Sequence, residues 1–436
     1  MKQLKYDVVV IGSGLGGLTS AALLSKAGCK VLVTEKLPFL GGRCATLDYH
    51  GYKFPIGMAS VEDEIHGELC REVGAEFELH VHDPMYYFRV RGKEFSAPAP
   101  GILKTMIREA SGDDAETKRV YQAYKRALAW AEPSYSMSVE EWLKQYSDNP
   151  IVLGVFQCTL GILSGMRISE IPAGEYIRML KEIGFAHTEG FLPLGGGSMS
   201  DALVRAIKRM GGEVWTRCPA LQIKMEDEVA TGMVVRKDGE EIELTAQAVM
   251  SNAGPWRTME LVGKEHLSPG YLRDVEAVQS VPVIAIYATS DRPLIEGHTY
   301  LAVAGYRRLY AVCNYPETDF PGMAPEGKHL VTGYAFTESC KPPYDFKKEV
   351  ELALQELREQ IPDFDKYAQI LRINTCHGDW GVLGSRVGYS LPVKTPIERL
   401  YLVGDASAPL GWWGSCAAIK SGRLAVEDVI QRLKPA

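Results

Sequence analysis

Glycine stands at the first, third and sixth places of the run Gly12-Ser13-Gly14-Leu15-Gly16-Gly17. Before it lies the β-branched stretch Val8 to Ile11, with the spacing of a buried strand. After it, Leu15 to Ala27 has helical apolar spacing and stops at Gly28; Val31 to Thr34 then reads as a second strand, closed by Glu35 and Lys36. In that setting the run suits binding of a dinucleotide. Gly12 allows the tight turn, Gly14 lets the main chain approach a pyrophosphate, and Gly17 lets helix and strand pack closely. Leu15 and Gly16 open the helix, whose free N–H groups and positive dipole end face the phosphates. A carboxylate at Glu35 suits a ribose diol and disfavours a 2′-phosphate, so FAD or NAD is expected over NADP.

Other reactive residue types are scattered. His80-Val81-His82 alternates like one face of a strand, but two ligands are too few for a metal site; it reads as a solvent-facing pair, and no metal is expected. Cys376-His377-Gly378-Asp379 looks like a fragment of a nucleophilic site, yet neighbours in sequence need not meet in space. Tyr86, Tyr87, Arg167 and His187 are candidates for a substrate cavity. Ile151 to Leu163 carries no charge. It reads as a core helix, as the wall of an apolar channel, or as a surface touching a bilayer.

These residues need elements to hold them. Residues 102–183 read as mainly helical, with Ala115 to Ala131 amphipathic. A loop at Pro193 to Gly197 precedes a helix over Ser198 to Met210. Strands are expected at 213–216, 222–225, 230–236, 241–244, 249–252, 281–289, 309–312 and 400–403, and helices at 346–360 and 415–433. The 436 residues, 46% hydrophobic, suffice for two or three buried cores. A net charge of −7 argues against nucleic acid or an anionic membrane as main partner. Nine cysteines without a C-x-x-C pair suggest a reducing compartment. No apolar run reaches the ~20 residues of a membrane helix. Lys2 and Lys5 ahead of Val8 to Ile11 resemble a signal peptide only until Gly12 to Gly17 interrupts them. The protein therefore reads as cytoplasmic, with a peripheral membrane contact left open by the 151–163 stretch.

The run from Glu35 to Gly41-Gly42-Arg43 resembles the E-x(5)-G-G-R signature of the flavin amine oxidase and phytoene desaturase superfamily. Three later blocks are similar to its motifs. They are Phe191 to Met199 with Gly211 to Ile223, Ala248 to Pro255, and Leu400-Tyr401-Leu402-Val403-Gly404-Asp405 through Gly422-Arg423. The spacing looks most like the carotenoid-desaturase branch. Two departures stand out: Pro55 replaces an acid in the loop before Gly57, and Gly411-Trp412-Trp413-Gly414-Ser415 replaces a Pro-Gly-Gly run.

The resemblance implies an α/β protein with a Rossmann-type FAD domain, doubly wound and discontinuous, and an inserted α+β substrate domain. The FAD domain would use 1–95, 191–275 and 376–436; the substrate domain would supply helices from 96–190 and sheet from 276–375. FAD contacts would come from the glycine turn, Glu35 and Lys36, and from Gly42 and Arg43 along the pyrophosphate. Gly57 and Met58, Ala220 beside the adenine, and Asn252 would add to them. Gly404, Asp405 on sugar hydroxyls, Trp413, Gly414 and Ser415 would complete the set. Trp412 and Trp413 would stand in the substrate cavity close to the flavin. A cysteine thioether occurs in some amine oxidases of the superfamily near the position of Cys376; non-covalent FAD is the main expectation. The implied chemistry is hydride transfer between flavin N5 and a carbon of a mostly apolar small molecule, in desaturation, saturation or isomerisation. Amine oxidation is the alternative, although Val281 to Arg292 lacks the lysine that such enzymes often carry. No second dinucleotide motif is present, so oxygen, a quinone or another carrier would take the electrons unless the net reaction is an isomerisation.

Overall fold

The computed structural model describes residues 2–433 apart from 59, 131, 133, 185–186, 296, 298, 305–307 and 385–388. Val8–Ile11 and Val31–Thr34 are buried along their whole length, as parallel strands covered on both faces must be. They centre a five-stranded parallel sheet in the order Glu213–Trp215, Val31–Thr34, Val8–Ile11, Ala248–Ser251, Leu400–Leu402. The sheet thus gathers strands from both ends and the middle of the chain. Val8, Val10, Val31 and Val33 point to a helical layer formed by Leu15–Lys26, Gly196–Arg209 and Gly414–Arg432. Val9, Ile11 and Leu32 point the other way, onto a second sheet of Lys2–Lys5, Glu240–Thr245, Val229–Lys237 and Ala220–Glu226. The period of two along each strand sorts these residues between the layers.

A seven-stranded sheet stands beside this unit. Its order is Gln369–Cys376, Val283–Ser290, His329–Phe336, Leu309–Tyr315, Tyr300–Val303, Tyr86–Val90, Lys93–Ala97. The last two strands join it although they lie almost wholly before residue 96. One face packs on helices Ile102–Ser111, Asp114–Leu128, Val139–Lys144, Pro150–Ser164 and Ala173–Glu182. The opposite face, with Ile284, Ile286 and Val331, is covered by Phe346–Gln360. The protein is α/β.

The uncharged stretch forms Pro150–Ser164. Asn149 caps it by accepting the N–H of Ile151, and Gly165 ends it with φ 69°. Most of this helix is core. His80 and His82 lie outside any regular strand, and they are not a solvent-facing pair. His80 bridges to Phe191, and the His82 ring stacks on Phe320 with 5.6 Å between centroids.

Candidate active site

The glycine turn is held by a residue far along the chain. Asn252 Oδ1 accepts the N–H of Gly17 at 3.1 Å, and Asn252 Nδ2 donates to the carbonyl of Val403 at 2.9 Å. One side chain therefore ties the helix start to the end of the strand Leu400–Leu402. A Cβ at Gly14 would collide with Asn252 Oδ1, and a Cβ at Gly17 would collide with the carbonyl of Gly12. The tight packing expected at Gly17 is present. At Gly14, the packed Asn252 side chain already requires glycine.

Glu35 is 5% exposed. Its Oε2 accepts both the N–H and the hydroxyl of Ser13, at 2.9 and 2.7 Å, and its Oε1 accepts the N–H of Leu37 at 2.9 Å. A carboxylate offers about four lone pairs, so Oε1 keeps one for a further donor. Arg43 and Asp405 are joined by a two-pronged bond, Nη1 to Oδ2 at 2.7 Å and Nη2 to Oδ1 at 2.6 Å. Arg43 Nη1 also donates to the carbonyl of Gly381, and Asp405 Oδ2 also accepts the N–H of Leu383. Separate duties on pyrophosphate and sugar were expected of these two residues. Their side chains instead form one pair, with most of the guanidinium fork occupied.

One cavity of about 380 Å³ connects these groups. Gly12, Gly14, Leu15 and Gly16 line it, as do Glu35, Lys36, Gly42 and Arg43. Gly57, Met58, Ala220 and Asn252 follow, then Gly404, Asp405, Trp413, Gly414 and Ser415. Gly17 stands one step behind the wall. Helices Leu15–Lys26 and Gly414–Arg432 both start at this cavity without a cap from their own N-cap side chain, and Asn252 takes only the Gly17 N–H of the first. Free N–H groups at two helix starts, a glycine-walled approach and an acid with a spare lone pair match the needs of a dinucleotide with an electron-accepting ring. The residues present fit FAD.

Much of the rest of the wall is apolar and aromatic. It includes Gly161 to Gly165 from the end of the uncharged helix, Val283, Tyr86, Tyr300, Tyr310 and Tyr334. The stretch read as core, channel or membrane surface is thus a core helix whose last turn borders the cavity. Tyr86 and Trp413 are in the wall; Tyr87, Arg167, His187 and Trp412 are not. Trp412 lies outside it, with the Lys420 ammonium 5.1 Å from its ring centroid. Tyr87 packs on the opposite face of its sheet. Arg167 donates to the carbonyl of Thr337, and His187 lies 3.8 Å from Glu64. Trp413 is held by Glu175, whose Oε1 accepts the indole N–H at 3.1 Å and the N–H of Gly411 at 2.8 Å. Tyr135 donates to the other oxygen at 2.8 Å. Cys376 borders the cavity; burial pushes its thiol up, against the pull of Arg43.

Sequence reasoning missed two acids in the wall, Glu62 and Glu189. They are opposed across the short ladder of Val61–Glu62 with Glu189–Gly190. No local pattern announces a ladder of two residues per strand closed over so long a stretch. Burial and then the facing Glu189 raise the Glu62 carboxyl well above the usual carboxylate range; burial also raises Glu189. Glu62, His66 and Cys416 converge within 4.8 Å, joined by hydrogen bonds. The thiol donates to Glu62 Oε2 at 3.1 Å, and His66 Nδ1 lies 3.1 Å from the carbonyl of Glu62.

The sequence profile of the flavin containing amine oxidoreductases matches residues 15–430. The chain belongs to that family. It is therefore an FAD-dependent oxidoreductase. An uncharacterized protein of Methanocaldococcus jannaschii is 26% identical over 411 residues, covering 92% of this chain and 94% of that one. Human all-trans-retinol 13,14-reductase is 26% identical over 332 residues, or 63% of this chain and 51% of the reductase. The chain thus spans about half the length of that relative. Carrot prolycopene isomerase is 22% identical, with 93% and 77% covered. Among solved structures, an oxidoreductase from Methanosarcina mazei is 26% identical with a TM-score of 0.83, covering 97% of this chain and 100% of that one. Putrescine oxidase, at 17% identity and a TM-score of 0.73, shares the fold. Among the described residues no helix is long and apolar enough to cross a membrane.

Proposed function

We propose that the protein reduces, introduces or relocates carbon–carbon double bonds in a mostly apolar small molecule. The observation that carries this reading is the cavity wall itself. Beyond the dinucleotide groups it offers the uncharged end of Pro150–Ser164, Val283 and a set of tyrosines. Relatives named for retinol reduction and prolycopene isomerisation support the same class of substrate. The residues assigned to FAD are those of the glycine turn, Glu35, Arg43 with Asp405, Ala220, and the helix start at Gly414 and Ser415.

When bound, FAD supplies the two-electron chemistry. The chain supplies position and field. Glu35 Oε1 would hold a sugar hydroxyl with its free lone pair. The N–H groups of Leu15 and Gly16 would hold the pyrophosphate, and the Arg43–Asp405 pair neutralises its own charge beside them. The uncapped start of Gly414–Arg432 favours negative charge on whatever it faces. Trp413, fixed by Glu175, closes the wall and excludes water.

Amine oxidation remains as a second reading, because Glu62 and Glu189 among tyrosines could receive an ammonium group. Anaerobic mixing of the flavin-loaded protein, oxidised and reduced, with all-trans-retinol and with putrescine separates the two. A change in the flavin spectrum with retinol and none with putrescine is expected. The reverse result would overturn the assignment.

A further inference from the structure

Glu62 and Glu189 are not needed to hold a dinucleotide, yet both border the cavity. They stand directly opposite each other in an antiparallel ladder. Opposed residues have Cβ atoms about 4.5–5.5 Å apart, and like charges so placed repel. Among the described residues neither carboxylate is hydrogen-bonded or ion-paired to a lysine or arginine. Ser60 donates to Glu189 at 2.6 Å and Cys416 donates to Glu62 at 3.1 Å, and both donors are neutral. The neighbouring charges leave the conflict in place. Glu64 adds a further negative charge near Glu62, His187 offsets a little of that on Glu189, and Tyr86 adds none. His66 stands 3.3 Å from Glu62 Oε2, but burial lowers its pKa to about 4, so it brings no positive charge near neutral pH.

We propose that Glu62 and Glu189 share one proton and that this pair is the acid of the reaction. The inference rests on the carbon–carbon reading above. Saturating a C=C bond makes two C–H bonds. A hydride brings its own electron pair to one carbon, in the chemistry that FAD supplies. The π pair of the substrate takes a proton on the neighbouring carbon, and the Glu62–Glu189 pair holds that proton at the cavity wall. Water then returns one proton to the pair. In the direction of desaturation the same carboxylate takes the proton away. A pair holding a single proton carries one negative charge, which suits an apolar guest better than two carboxylates would. Cys416 keeps Glu62 facing the wall from the first turn of Gly414–Arg432, the helix that also starts at the dinucleotide groups.

The test begins with infrared titration of the flavin-loaded protein in heavy water. One protonated carboxyl band is expected near neutral pH, lost in Glu62→Gln and shifted in Cys416→Ala. Two ionised carboxylates at neutral pH would overturn the proposal. Single-turnover reaction with all-trans-retinol in heavy water is the second arm. Glu62→Gln is expected to slow it by roughly 10²-fold or more, while Glu62→Asp recovers part of the rate and moves its pH profile. Retention of FAD and a native melting curve show that each variant is folded. Wild-type rates in both Glu62→Gln and Glu189→Gln would overturn the proposal, as would putrescine binding that Glu62→Gln abolishes. A clear carboxyl band in a protein that never reacts with retinol would instead sink the carbon–carbon reading and leave the shared proton standing.

Discussion

At the scale of residues, the site depends on groups that satisfy each other before any ligand arrives. Glu35 accepts three hydrogen bonds from Ser13 and Leu37. Glu35→Ala would leave these donors unpaired and remove the acceptor proposed for the ribose. A marked loss of FAD retention is expected, together with about 1–3 kcal/mol of stability. Flavin per chain after gel filtration checks it, and unchanged occupancy would show that the ribose is held elsewhere. Removing one member of the Arg43–Asp405 pair should cost about 3–5 kcal/mol, since the Asp405 side chain is 3% exposed and its partner only partly so. A double-mutant cycle by chemical denaturation should recover much of that loss in Arg43→Met with Asp405→Leu. Additive losses would show that the two side chains act separately. The residue types at this site were legible, because the glycine spacing, Glu35 and the G-G-R run lie within 43 residues. The pairing of Arg43 with Asp405, 362 positions away, was not, since each reads alone as a ligand group.

At the scale of elements, the dinucleotide turn is locked by contacts that leave no spare volume. Gly17→Ala drives a methyl group into the Gly12 carbonyl, which a rigid strand end cannot yield. Loss of flavin binding is expected. Retained binding would mean that the helix start can shift without harm. Glu175 plays the corresponding part at the other helix, holding Gly411, Trp413 and Tyr135. Glu175→Ala should loosen the tryptophan loop, lower the melting temperature by several degrees and alter the flavin absorption envelope. An unchanged envelope would place Trp413 away from the ring. The buried strands of the parallel sheet could be read because Val8–Ile11 is an uninterrupted β-branched run and Val31–Thr34 is broken only by the apolar Leu32. His329–Phe336 and Gln369–Cys376 could not. The first is buried along nearly its whole length yet contains Thr332 and Gly333, and the second is half exposed. Neither shows the clean alternation that identifies a strand in sequence.

At the scale of the whole molecule, burial of ionisable groups makes stability depend on pH. His66 is fully buried, and its pKa falls from 6.5 to about 4, chiefly through burial. A lowered base contributes stability above its unfolded pKa, lost as pH falls through the interval from 6.5 to about 4. The loss should reach about 3 kcal/mol, and His66→Gln should flatten this part of the profile. A profile unchanged by that substitution would show that other groups control acid unfolding. The overall plan was foreseeable in outline, because the dinucleotide motifs sit near both ends and the middle of the chain. The seven-stranded sheet draws on strands from residue 86 to residue 376, and only the folded molecule brings them into register. That sheet, the uncharged helix and the dinucleotide groups enclose one cavity, and the central claim concerns what reacts there. The most direct measurement is product analysis after one anaerobic turnover of the reduced, flavin-loaded protein with all-trans-retinol. The account predicts a product with one C=C bond saturated, formed in step with flavin oxidation. A flavin that stays reduced beside untouched retinol, while the oxidised protein converts putrescine to an aldehyde, would contradict it.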